Sequence, residues 1–365
     1  MSILRVVWRV AIVAGVLLTS LVLPSQAAEE QQPRLWLPLV SQRQFPVPND
    51  PALRNGWQWY LVNAEYPLAD LNAPAGWAVE TGSPEVTLAV VSSGLDIANP
   101  AFQGRVLPGM CFVGESPCPD VIDDTGWGTY VTSLAAAQGG DGRGMAGVAW
   151  GIKILPVKVP FNHLGATDIL AVAKGLVDAC ALPDVRVVLV DAGFASLDKD
   201  NKLMVAVARC TQAGVLVVAP VGDCGGEDYA EHGCTSRNEV HYPAGFNDSN
   251  HLVLAVGATD REGNVAAFSS ASTQKVVDAV APGVDIYGLR RGEELGALPD
   301  GTSQAAALAA GLAALVISAH PEYSLQQVMN TLQCSARDIG EEGKDAASGW
   351  GLLDAGRALS PGCAQ

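Results

Sequence analysis

Six stretches of this 365-residue chain are apolar almost from end to end, and they set the fold. Val86–Gly94 (VTLAVVSSG), Ile152–Val159, Val185–Gly193 (VRVVLVDAG), Val215–Asp223 (VLVVAPVGD), Leu252–Asp260 and Val276–Gly283 read as strands. A strand with one wet face alternates polar and apolar residues. These do not, so both of their faces must be covered. Segments of helical character lie between them: Thr129–Gln138, Asp168–Ala181, Leu203–Gly214, Ser303–Pro321 and Ser324–Ala336. Thr167 is a candidate N-cap for the second, and Gly214 closes the third. The alternation predicts an α/β fold, a mainly parallel sheet with helices on both faces.

The N-terminus reads as a targeting segment. Arg5 and Arg9 precede the apolar run Val10–Leu23, and Ser25-Gln26-Ala27 is a small-x-small cleavage site. This predicts a secretory signal peptide over residues 1–27 and a secreted protein. The apolar run is short against the roughly 20 residues of a membrane-spanning helix. Residues 28–55 hold Pro33, Pro38, Pro46, Pro48 and Pro51 and predict an extended lead-in. The domain is expected over residues 56–360, followed by a short tail at 361–365.

Eight cysteines in an exported chain predict disulfides. Proximity alone suggests the pairs Cys111–Cys118, Cys180–Cys210, Cys224–Cys234 and Cys334–Cys363. No C-x-x-C occurs and the five histidines are scattered, which argues against a zinc centre. The formal charge of −16 excludes nucleic-acid binding by phosphate neutralisation. A monomer with no membrane attachment after signal removal is expected. The acidic loops Asp120–Asp124 and Asp198–Asp200 could supply oxygens to a structural calcium, although solvated charge explains them as well. No other cofactor is indicated.

Two stretches carry the chemistry. GTSQAA (Gly301–Ala306) sets Ser303 at the mouth of a helix, where backbone N–H groups and the dipole favour a developing anion. Ser is also a common helix cap, so the motif alone is weak. DDTGWGTYVTSLAAA (Asp123–Ala137) has the grammar of a catalytic loop entering a helix, but the bracketed residue is Trp127. An indole offers an N–H and no basic nitrogen.

Taken in order, these blocks resemble the subtilisin-like serine peptidases, the subtilases (peptidase S8), from about Trp57 to Leu359. GWAVETG (Gly76–Gly82), LAVVSSGLDIANPAF (Leu88–Phe102), GRGMAGVAWGIKILPVKV (Gly142–Val159), HYPAGF (His241–Phe246), VDAVAPGVDI (Val277–Ile286), GTSQAAALAAGLAALV (Gly301–Val316) and SGWGLLDAGRAL (Ser348–Leu359) carry the resemblance. It implies the three-layer subtilisin-like fold with Ser303 as the nucleophile. It also implies that Ser92 stands in place of the catalytic Asp, Trp127 in place of the catalytic His, and Asp223 in place of the Asn that serves the oxyanion hole. Asp191-Ala192-Gly193 replaces the Ser-Leu-Gly of the substrate-binding strand. Family geometry would bring Asp191, Asp223 and Ser303 towards one cleft.

Serine is a poor nucleophile without a base. Trp127 cannot take its proton, and Asp223 would place a carboxylate where negative charge must develop. The sedolisins, a related group, use Ser with Glu and Asp and an oxyanion Asp. Their base would sit on Thr129–Gln138, which has no acid. Of His163, His232, His241, His251 and His320, only His241 merits a distance check as a substitute. Residues 28–55 are also too short for the folded prodomain of active secreted subtilases. The expected protein is a secreted pseudopeptidase, with a peptide or protein as the partner in its cleft. The alternative is an active or weakly active endopeptidase using Ser303 with a non-standard base.

Overall fold

The structure, a computed structural model, describes residues 47–162, 165–197, 199–246 and 253–363. The expected signal peptide, most of the lead-in, His163, Asp198 and His251 lie outside the described residues. The strands are β1 (Thr87–Ser92), β2 (Met110–Val113), β3 (Ser116–Pro117), β4 (Lys153–Lys158), β5 (Phe161–Asn162), β6 (Gly165–Ala166), β7 (Val185–Val190), β8 (Leu216–Pro220), β9 (Val253–Thr259), β10 (Ala279–Pro282), β11 (Tyr287–Leu289) and β12 (Leu295–Ala297). The helices are α1 (Pro51–Arg54), α2 (Ala73–Trp77), α3 (Trp127–Ala136), α4 (Ile169–Cys180), α5 (Lys202–Gln212), α6 (Thr302–Ala319), α7 (Leu325–Ser335) and α8 (Ala355–Ala358).

Eight strands form one sheet in the order β10-β9-β8-β7-β1-β4-β2-β3, parallel except for the β2–β3 edge. The side-chain period of two sorts the apolar residues onto two faces. Leu88 and Val90 of β1 and Val187 and Leu189 of β7 join the core shared with α3 and α6. Ala89 and Val91, with Val188 and Val190, join the core shared with α4 and α5. This is the three-layer arrangement expected of near-continuous apolar strands. Helix α6 is long and apolar enough to cross a membrane, but its Ala and Gly side chains let it lie buried against the sheet.

Three details differ from the sequence reading. Thr167 does not cap α4. Asp168 does, its Oδ1 accepting from the N–H groups of Leu170 and Ala171 at 3.1 Å each. A carboxylate accepts both amides and complements the helix dipole, which a hydroxyl cannot match. The lead-in also joins the domain before residue 56. Asp50 is buried and Asp50 Oδ2 accepts from Gly140 N–H at 2.7 Å, while Ala52 and Leu53 of α1 are buried in the core. The tail, in turn, is tied down at Cys363.

The eight cysteines form four disulfides, Cys111–Cys118, Cys180–Cys210, Cys224–Cys234 and Cys334–Cys363. Cys180 and Cys210 are both buried and join α4 to α5 across 30 residues of chain. Closing a loop of that length stabilises by about 3–4 kcal/mol in the chain-entropy picture. The Cys180→Ala/Cys210→Ala double variant is expected to lose about that much in urea unfolding. A loss under 1 kcal/mol would show that helix packing alone holds these elements.

Candidate functional site

Strand β1 has β7 on one side and β4 on the other, so the chain turns in opposite directions from it. Open α/β sheets hold ligands in the crevice beyond the C-terminal strand ends at such a switch point. Ser92 is the last residue of β1, and Asp191 is the first after β7. The register pairs Val91 with Val190, and Asp191 N–H donates to the Val91 carbonyl at 3.1 Å. Parallel pairing thus delivers the two side chains to the same place. Ser92 Oγ donates to Asp191 Oδ2 at 2.8 Å, with Ser92 at 0% and Asp191 at 2% exposure.

Trp127 opens α3 from the other side. Its flanking glycines have separate jobs. Gly126 is the N-cap residue at φ 85°, in the left-handed region. A Cβ on Gly128 would meet the Gly94 carbonyl oxygen at 2.1 Å, so only glycine lets the helix approach the turn after β1. The buried carboxylate of Asp123 fixes the entry. It accepts from Gly126 N–H at 2.9 Å, Thr129 N–H at 2.8 Å, Thr129 Oγ1 at 2.7 Å and Ser93 Oγ at 2.7 Å. Ser93 Oγ in turn accepts from Gly128 N–H at 2.9 Å. The Trp127 ring packs on Tyr130 with centroids 5.9 Å apart, and its edge lines the cleft. The sequence reading took Asp123 only as part of an acidic loop and gave Ser93 no role. An Asp shortly before a helix is a capping signal that could have found the first.

The third wall is the start of α6. Asp223 Oδ1 accepts from Thr302 N–H and from Thr302 Oγ1, both at 2.8 Å, and Thr302 Oγ1 accepts from Gly222 N–H at 3.2 Å. The Asp223 carboxylate therefore serves the first turn of the helix that carries Ser303. It accepts there, and it donates nothing into the cleft while ionised. Ser303, Asp191, Asp223, Trp127, Ala192 and Gly193 all line one cleft of about 150 Å³. Asp300 lines it too.

Of the described histidines, His232 and His241 line the cleft. His241 lines the cleft, but its Nε2 lies 3.5 Å from Cys224 Sγ of a disulfide, and burial pushes its pKa down. His232 pairs with Asp228 at 3.6 Å, and His320 stacks on Tyr323 with centroids 4.3 Å apart. Of the acidic loop residues, Asp120 and Asp124 pair with Lys158 at 3.3 and 2.8 Å, so their charge is met by an ammonium group.

Asp191 is the electrostatic centre. Burial pushes its carboxyl up to about 6, against the pull of the Ser303 and Ser92 hydroxyls and the Trp127 indole N–H, and the Asp223 charge pushes it further up. Ser303 and Asp191 line the same cleft. The Trp127 N–H acts on Asp191 through space and reaches no partner at full hydrogen-bond geometry. Burial likewise raises the Asp223 pKa.

A serine at the start of a buried helix and a buried carboxylate thus line one cleft at the switch point of a parallel sheet. The profile described as "Subtilase family" matches residues 83–351, and the chain belongs to this family. It is 32% identical over 259 residues to the thermophilic serine proteinase of Bacillus sp. (strain AK1), covering 71% of this chain and 59% of that protein. Thermitase of Thermoactinomyces vulgaris is 30% identical over 272 residues, covering 74% of this chain and 86% of the relative. Among solved structures, a protease from Pseudoalteromonas arctica superposes with a TM-score of 0.70 at 23% identity, over 86% of this chain and 98% of that one. That likeness concerns the fold.

Two variants test the site's physics. A carboxyl raised from 3.8 to about 6 has a folded state that prefers the proton. Its contribution is full below about pH 4 and is lost as pH rises through 6, at about 1.4 kcal/mol per unit. Asp191→Asn should therefore gain on the wild type by roughly 3 kcal/mol between pH 4 and pH 7.5 in urea unfolding. Asp70 is also pushed to about 6, so the comparison must be between variants at each pH. A difference that does not change with pH would refute the assignment. Asp123→Ala removes the shared acceptor of the α3 entry and should cost at least about 3 kcal/mol.

Proposed function

We propose that this subtilase-family chain is an exported protein that holds peptides in its cleft and does not cut them. The observation that carries the reading is the indole of Trp127 beside Ser303 and Asp191. It stands where the resemblance to active subtilases places an imidazole. Peptide hydrolysis needs a group that takes the serine proton and then gives one to the leaving amine. Trp127 can do neither. Asp191 could take the proton, but at 2% exposure it has little surface from which to hand one to a leaving amine. Asp223 accepts from Thr302 where an amide would donate to an oxyanion. The alternative, an endopeptidase with Asp191 as a full replacement for histidine, meets the same obstacle.

Three carboxylates, Asp191, Asp223 and Asp300, line the small cleft. Together they favour a cationic side chain of a bound peptide, a single lysine or arginine in a space of that size. Export is supported by four disulfides and by the N-terminal apolar segment. The matches span 59% and 63% of the full lengths of two of the relatives, so the relatives' activities are not carried over whole.

The test pairs cleavage with binding. An unfolded, cysteine-free protein substrate incubated with wild type and Ser303→Ala at pH 5–9 should yield the same product, none above background. Cleavage that disappears in Ser303→Ala would overturn the reading. A lysine-containing peptide should change the tryptophan fluorescence of the wild type and not of Trp127→Phe. Replacing that lysine with norleucine should weaken binding about tenfold, roughly 1.4 kcal/mol.

A further inference from the structure

One wall of the cleft is tied to a cluster of soft metal ligands. His241 lines the cleft, and its ring lies against two glycines: a Cβ on Gly193 would meet its Nδ1 at 2.8 Å, and one on Gly222 would meet it at 3.3 Å. The other ring nitrogen, Nε2, lies 3.5 Å from Cys224 Sγ. Cys234 completes the group. One ligand atom from each of Cys224, Cys234 and His241 lies within 4.8 Å of the other two, and all three residues are buried. We propose that the Cys224–Cys234 disulfide is the closed form of a metal site: once a dithiol reductant opens it, Cys224, Cys234 and His241 bind one zinc-class ion. The fold gathers these ligands, not their spacing in the sequence.

The distances suit a tetrahedral ion. With zinc about 2.3 Å from sulfur and about 2.05 Å from nitrogen, such a centre holds S and N roughly 3.5 Å apart and two sulfurs roughly 3.8 Å apart. The first separation already exists between Cys224 and His241. Both are anchored by backbone bonds that do not involve the disulfide. Cys224 N–H donates to Ser270 Oγ at 3.1 Å, and His241 N–H donates to the Val221 carbonyl at 3.0 Å. The second separation requires Cys234 to draw back, and Cys234 sits in a loop between exposed Gly233 and Thr235. Two thiolates cancel the charge of a divalent ion, which a buried site needs. The Glu239 and Asp223 carboxylates act on His241 electrostatically and also favour a cation. Thiolate and imidazole ligands select zinc over calcium or magnesium. The chemistry balances. The dithiol gives two electrons and two protons to the disulfide, which becomes two thiols, and ends as its own disulfide. The ion then displaces the two thiol protons and bonds to both sulfurs and to His241 Nε2, with water as the fourth ligand.

The experiment reduces the folded chain with a water-soluble phosphine, because a dithiol would itself hold zinc. The phosphine leaves as its oxide, taking the oxygen of one water. Cysteines are then alkylated with iodoacetamide, with and without one equivalent of Zn2+, and mapped by mass spectrometry while circular dichroism follows the fold. Zinc should slow alkylation of Cys224 and Cys234 at least about tenfold and leave Cys111 and Cys118 unaffected. Loss of an outer-shell partner costs about 10–100-fold in metal affinity, and His241→Ala, which removes a ligand, should cost at least that. Cobalt(II) in place of zinc should give the reduced wild type the intense visible bands of a tetrahedral thiolate site. Equal alkylation of Cys224 and Cys234 with and without zinc, protection unchanged in His241→Ala, or a Cys224–Cys234 bond that opens only when the whole chain unfolds would each overturn the proposal. Should His241→Ala fail to fold, the wild-type cobalt spectrum decides, and octahedral bands without thiolate character would refute the site. No peptide enters the test, so its failure is distinct from that of the cleft reading.

Discussion

Strand β1 is buried on both faces and paired on both edges, and the rest of the molecule is arranged around that fact. Its backbone bonds to β4 and β7, and its side chains from Thr87 to Ser92 are all buried. Such a strand can do chemistry only at its end. Ser92 lies there, and the register with β7 puts Asp191 beside it. The turn after β1 then sets the α3 entry through Gly94, Gly128 and Asp123, and with it the place of Trp127. Few positions in the site are free to move independently.

The residues of the cleft compensate one another. A hydroxyl at position 92 leaves room and a donor, and the Asp191 carboxylate uses both. The indole at 127 adds bulk and an N–H that lowers the Asp191 pKa without relieving its burial. Asp223 is anchored by Thr302 and adds its charge to the same small volume. A buried carboxylate held by the Ser92 hydroxyl, in a cleft lined by an indole, is a different electrostatic object from a triad. Its proton belongs to the interior, and exchange with a substrate's leaving group is hindered by position.

Much of this was legible in the sequence. The apolar runs gave away the two-faced parallel sheet, because an uninterrupted Val/Leu/Ala strand has no wet side to offer. The order of motif blocks carried the family, and Ser303, Trp127, Ser92, Asp223 and Asp191 were all singled out as residues. The capping role of Asp123 was missed, because it depends on where a helix begins to within one residue. Thr167 was preferred over Asp168 for the same reason. The lead-in was read as extended from its prolines, although Pro51 sits at the first turn of α1, where the missing N–H costs nothing.

By itself the sequence determined composition-level matters: strands covered on both faces, a helix of small residues following Ser303, and a tryptophan between two glycines. It could name the groups near the chemistry, since each stands beside a recognisable strand end or helix start. Only the tertiary structure decided how they meet. Contact between Asp191 and Ser92 depends on which strand lies next to β1 and in what register, and 99 residues separate the two in the chain. The burial that lifts Asp191 to about 6 is likewise a property of the assembled layers, because desolvation is set by what packs around a carboxylate and not by its neighbours in sequence.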